Sequence, residues 1–239
     1  MMIQNKKGIS TVEIIVSFTI FMGFVVFIFL YLNPIKQNIS GPLLTALDVG
    51  FRDQAMTDLR EWPVAVNKTL VINSNYQCLK FNILFENISA GNISVKDIND
   101  NTIDHKVNAD STIEIKSIND KLYRLIQSDE IARQDNSQLS GCASLPTDQF
   151  SLSVERIERI YSYKKLVAIN DSYYNDYAGL KQKLDFPITS DFGIIITSDQ
   201  ANFTMQKNIP NVQIKVRTFP AEILKNDTKL KATISLLVW

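Results

Sequence analysis

The sequence predicts an α+β fold: a single N-terminal transmembrane or assembly helix, then a β-rich extracellular domain carrying a few helices. Three observations predict it. An uncharged apolar run fills Ile14–Leu32. Apolar residues then recur three or four apart as far as Trp62, which is helical spacing. Beyond Trp62 short alternating runs take over, separated by Asn, Asp, Gly and Ser, which is the pattern of strands and turns.

The first element reads IIVSFTIFMGFVVFIFLYL. As a helix it would rise about 28 Å, close to the hydrocarbon thickness of a bilayer. Only Ser17, Thr19 and Gly23 interrupt its apolar surface, so it lacks the polar stripe of a helix on a soluble core. Lys6 and Lys7 precede the run and only Lys36 follows closely. The excess of positive charge places the N-terminus in the cytoplasm and the chain beyond about Asn33 outside, with membrane lipid as a partner. The exit, LYLNPIK, offers no small-x-small cleavage site, so the expected helix is retained.

Just ahead of the run stands NKKG followed by ISTVEII. This stretch resembles the class III signal of type IV prepilins: basic residues, a cleavable glycine and a glutamate five residues into the mature chain. The resemblance implies a leader over 1–8, cut between Gly8 and Ile9 by a prepilin peptidase, and an assembly helix over 9–33. It also implies other pilin-like subunits and the pilus assembly machinery as partners. Physical chemistry supplies two readings of Glu13. A carboxylate costs about 2.5–3.5 kcal/mol at a bilayer centre. At a helix N-terminus, by contrast, the macrodipole favours it by about 0.3–1 kcal/mol. Glu13 is then either an interfacial residue completing the helix start, or the partner of the free α-amine of Ile9 in a neighbouring copy. The second pairing neutralises two charges that an apolar bundle would not hold singly.

Residues 34–63 read as an amphipathic helical segment. Ser40 and Pro42 are start signals, Leu44, Leu47, Phe51, Ala55, Leu59 and Trp62 trace one face, and Pro63 is the stop. The domain over 64–239 follows. Strands are expected in VAVNKTLVI, QCLKFNILF, NISVKD, STIEIKS, KLYRLIQ, QFSLSVERI, DFGIIITS, NVQIKVRTF and KLKATISLLVW, with KNDT as a turn. Helical spacing returns in SYKKLVAIN and YYNDYAGLKQKL, with a break expected at Asn170 and Asp171. A sub-boundary is expected near Leu145 and Pro146. The pattern IYSYKKLVAIN, YYNDYAGLKQKL, DFGIII is similar to ectodomains of large archaeal pilin-like proteins.

Twenty-five basic and twenty-five acidic residues balance, so no broad positive field marks a nucleic-acid partner. Asn-x-Ser/Thr acceptor sequons occur at Asn38, Asn67, Asn87, Asn92, Asn170, Asn202 and Asn226, all beyond the expected span. Together they point to a sugar-coated surface protein. Cys78 and Cys142 are the only cysteines, and an oxidising exterior allows either a bridge between them or two buried thiols. His105, the only histidine, falls in the polar stretch NTIDHKVNAD and reads as a solvated loop residue. Asp97, Asn99 and Asn101 share the spacing of a calcium loop, but Thr102 stands where glycine is required, so a turn is the better reading. DFG at Asp191 lacks the companion motifs of a kinase and reads as a strand entrance. No metalloprotease, hydrolase or phosphate-loop motif is present, and neither enzyme activity nor a cofactor is expected. The expected function is a pilin-like surface subunit, minor or accessory given its large ectodomain. The alternative is a membrane-anchored, glycosylated binding or adhesion module that does not polymerise.

Overall fold

The structure is a computed structural model describing residues 11–31, 40–67, 78–82, 92–108, 110, 112–116, 122–132, 139, 141–207 and 213–239. Two compact units divide it, Met1–Pro42 and Leu43–Trp239.

The first unit contains helix α1 (Thr11–Tyr31). Its described side chains run from Val12 to Ile28. Among the described residues no helix is long and apolar enough to cross a membrane. The structure therefore does not bear out the transmembrane span expected over Ile14–Leu32.

The described structure is β-rich, 45% strand against 29% helix, with a curled sheet in the second unit, so the α+β class is corrected. The reason lies in connectivity. Helices α3 (Tyr163–Asn175) and α4 (Tyr177–Lys183) do not form a segregated layer. They connect β10 (Arg156–Ser162) to β11 (Phe192–Ser198), two strands of one sheet. The other strands of that sheet are β1 (Met56–Val66), β3 (Ile93–Lys96), β4 (Thr102–Ile103), β7 (Leu122–Gln127), β9 (Phe150–Leu152), β12 (Phe203–Met205), β13 (Lys215–Lys225) and β14 (Thr228–Val238). Among the described residues the order is β12-β11-β14-β13-β10-β1-β7-β3-β4, with β9 pairing β1. A smaller sheet has the order β5-β6-β2-β8, from β2 (Cys78–Asn82), β5 (His105–Val107), β6 (Thr112–Lys116) and β8 (Ala143–Ser144). The sheet runs continuously across the boundary expected near Leu145: β9 and β10 pair with β1, and Leu145 is itself buried.

Helix α2 spans Ser40–Ala55, and the helix expected to continue to Trp62 gives way to β1 at Met56. Leu59 and Trp62 fit helical spacing, but β1 is paired on both sides, with β10 over Met56–Glu61 and with β7 over Arg60–Ala65. Pro63 is tolerated inside this strand because it falls between two partners: β10 pairs as far as Glu61 and β9 begins at Val64. Along β1 the buried parity changes. Leu59 joins Ile126, Ile131, Ile160 and Leu224 on one face, whereas Trp62, Val64 and Val66 enter a second core with Tyr123, Leu125, Phe81 and Ile113. The curl is closed by the β13–β14 turn. There the Asp227 carboxylate accepts from Ser94 Oγ of β3 at 3.0 Å and from Thr102 Oγ1 of β4 at 2.5 Å.

The largest core packs the α2 face Leu47, Phe51 and Ala55 with Leu166, Ile169 and Tyr173 of α3 over Ile194, Ile223, Ile234 and Leu236. Asn170 and Asp171 do not break α3, since Asp171 Oδ1 accepts from Asn175 Nδ2 at 2.7 Å. The break lies at Asp176, which terminates α3 and caps α4 by accepting from Gly179 N at 3.0 Å. Buried Glu130 ties the turn after β7 to the start of α3, accepting from Ser162 Oγ at 2.5 Å and Lys164 N at 3.1 Å. A carboxylate is favoured at that helix end.

Two predictions follow from this packing. A Cβ on Gly50 of α2 would stand 2.0 Å from the Leu184 carbonyl oxygen. Gly50→Ala should therefore cost about 1–3 kcal/mol of stability, read from the denaturation midpoint. Burial pushes the Tyr161 and Tyr173 hydroxyls up to about 12, and the Tyr177 hydroxyl upward as well. The unfolded chain releases these protons near pH 10, the folded chain later. Stability should thus be intact below pH 10 and drain away between pH 10 and about 12. Denaturant unfolding across that range, with tyrosinate absorbance in parallel, checks it.

Candidate functional site

Helix α1 carries the sequence-predicted assembly element. Gly8 and Ile9 lie outside the described residues. Glu13 occupies the first turn of α1 and its side chain is exposed. Val12, Ile14, Ile15, Phe18, Ile20 and Phe21 are each 58–68% exposed. At about 100° per residue these positions fall on every side of the helix, so no polar stripe marks a solvent face. Thr19 satisfies its own hydroxyl by donating to the Ile15 carbonyl at 2.9 Å. A Cβ on Gly23 would meet nothing within 4 Å, which leaves its backbone open to close approach.

The sequons divide by exposure. Asn67 is exposed at the end of β1, and Asn226 is exposed in the β13–β14 turn with φ 58°. Asn202 is exposed while its Oδ1 accepts from Ser198 N at 3.0 Å. Asn92 is half-buried ahead of β3, and Asn170 is half-buried inside α3. Asn38 and Asn87 lie outside the described residues.

Cys78 and Cys142 form a disulfide, with Cα atoms 4.6 Å apart. It fastens the start of β2 to the residue ahead of β8, which pairs parallel with β2. Closing a loop of 64 residues stabilises by about 4 kcal/mol in the chain-entropy model.

The reading of His105 as a solvated residue is corrected. It is fully buried on β5, with Nδ1 2.8 Å from the Ile103 carbonyl and Nε2 2.9 Å from that of Ile93. Ile103, His105 and Val107 alternate inward while charged Asp104 and Lys106 point outward, and those neighbours disguised a strand as a polar loop. With both ring nitrogens facing backbone, the imidazole has no free ligand position. Asp97 makes a turn: its carboxylate accepts from Asn99 N and Asn101 N at 2.8 Å and from Asn101 Nδ2 at 2.9 Å. Those bonds hold the carboxyl below the usual range, led by the Asn101 side chain. Asp191 stands at the entrance of β11, exchanging backbone hydrogen bonds with Trp239.

One open cleft measures 690 Å³ and is lined by Asp58, Arg60, Gln127, Asp129, Arg159 and Lys165, among others. Its cations are already engaged: Arg60 with Glu155 at 3.7 Å, Arg159 with Asp53 at 3.6 Å, and Lys165 Nζ donating to the Met56 carbonyl at 2.6 Å. Among the described residues no group of His, Cys, Asp and Glu could hold a metal ion. Comparison with protein families, with curated proteins and with solved structures finds no match.

Exposure orders the acceptor sites. Asn67 and Asn226 should carry glycan and Asn170 should not, as read by peptide mass spectrometry before and after deglycosylation. An intact mass equal to the bare polypeptide would contradict glycosylation altogether.

Proposed function

We propose that this chain is a pilin-like subunit of a surface filament, minor or accessory rather than the principal one, assembled by packing of α1 against neighbouring copies. The observation that carries the reading is the bare apolar circumference of α1. Fully burying one such Val, Ile or Phe side chain is worth about 1.5–3 kcal/mol. The residues on view therefore represent a large unclaimed driving force. A helix that is apolar on one face asks for one partner; a helix apolar all round asks for a ring of them, which the core of a helical filament provides.

The start of α1 supports the same reading. Cleavage between Gly8 and Ile9 by a prepilin peptidase would free an α-amine four residues ahead of Glu13. In a bundle of parallel helices that amine meets the Glu13 carboxylate of an adjacent copy, so each charge entering the apolar core brings its counter-charge. The pair also fixes axial register, because a sliding neighbour would strand both charges. The size of the domain beyond α1 favours an accessory place in the filament.

N-terminal sequencing of protein purified from its source should begin at Ile9. Glu13→Gln should leave that cleavage intact and cut incorporation into filaments by roughly tenfold or more, given the 3–5 kcal/mol that losing one partner of a buried ion pair costs. Unchanged incorporation of processed Glu13→Gln protein would overturn the reading.

A further inference from the structure

A second, smaller cavity lies where the β13–β14 turn leans over the inner face of the curled sheet. It measures 260 Å³. That is just under the roughly 300–1,000 Å³ typical of drug-sized ligands, so its occupant must be small. Leu59, Ile126 and Leu224 give it an aliphatic floor, and all three are buried.

The charges around that floor are not all matched. Arg124 is taken by Glu61 at 3.5 Å and by Asp100, and Lys229 by Glu158 at 2.6 Å. Lys96 differs. It is only 6% exposed, and among the described residues its ammonium has neither a hydrogen-bond nor an ion-pair partner. Its stem is buried while its ammonium opens on the cavity, where a counter-charge can reach it. Asp227 lines the same cavity and has its own hydroxyl donors, Ser94 and Thr102. No contact within 4 Å joins it to Lys96, although the Lys96 charge helps hold its carboxyl below the usual range against desolvation. Two opposite charges are thus held apart by the fold, with a small void and an apolar floor beside them.

The geometry points to a binding site for a free aliphatic α-amino acid, its carboxylate on Lys96, its ammonium on Asp227 and its side chain on Leu59, Ile126 and Leu224. A simple anion would satisfy Lys96 but face the Asp227 carboxylate, and a simple amine would do the reverse. A zwitterion neutralises both at once. Thr228 also stands at the wall, its hydroxyl donating to Asp227 Oδ1 at 3.3 Å. The inference is independent of filament assembly, since every residue it uses lies in the second unit.

Calorimetric titration of the full chain in detergent with L-leucine tests it, with isovalerate and isopentylamine as analogues that each keep one charge. Leucine should bind saturably, and each analogue at least about tenfold more weakly. Lys96→Met should abolish the carboxylate's contribution, reducing leucine to the affinity of isopentylamine, and Asp227→Asn should reduce it to that of isovalerate. Retained thermal unfolding shows that each variant folds; where one does not, the analogue series on unaltered protein decides alone. An analogue that binds as tightly as leucine overturns the zwitterion site, and so does the absence of saturable leucine binding.

Discussion

Two backbone pairs, Tyr161 with Ile223 and Ser162 with Leu224, carry the junction on which the large sheet depends. On one side stand β12, β11, β14 and β13; on the other stand β10, β1, β7, β3 and β4. A parallel contact two residues long is weak by itself. It holds because both of its faces are buried. Above it, Phe51 stacks on Tyr161 with ring centroids 5.6 Å apart, and Ile223 joins the same core. Below it, Ile160 and Leu224 share the small cluster with Leu59. Ionic contacts span the seam as well. Asp48 of α2 reaches Arg217 of β13 at 3.2 Å, Asp53 of α2 reaches Arg159 of β10 at 3.6 Å, and Lys229 of β14 reaches Glu158 of β10. Because every member of these pairs except buried Asp48 is exposed, the apolar packing does most of the holding.

Local pattern made the strands legible and left their assembly hidden. Phe192, Ile194 and Ile196, like Leu230, Ala232, Ile234 and Leu236, alternate inward as period-two runs should. The end of α2 was not legible. Leu59 and Trp62, three apart, fit a helical period but fall on opposite faces of a strand, and what decides between the two is pairing with β10 and β7, distant in sequence. Pro63 reads as a stop signal in isolation, whereas its missing N–H falls in an interruption of the ladder. The fold class failed for the same reason: where helices sit in a sheet's connectivity is a long-range property. A break expected at Asn170 moved to Asp176 because a capping carboxylate and an i,i+4 side-chain bond outweigh weak propensity.

Candidate functional residues were legible where chemistry is local. The lysines, Gly8 and Glu13 that carry the pilin-like resemblance are read from one short stretch, as are the sequons. The cysteine pair permitted a bridge without deciding it, since bonding depends on β2 and β8 lying side by side. Burial was the least visible property. His105 sits among charged neighbours and ends inside because β5 turns its side chain inward, while Lys96 is buried because β3 is covered on both faces.

The position of β1 has a mechanical consequence. It follows α2 without a loop and lies between β10 on one edge and β7 on the other, with β9 extending the contact. Tension applied along the backbone at the start of β1 therefore meets an interior strand end-on. Its ladder bonds lie across the direction of tension and must yield as a group, in shear, instead of unzipping singly.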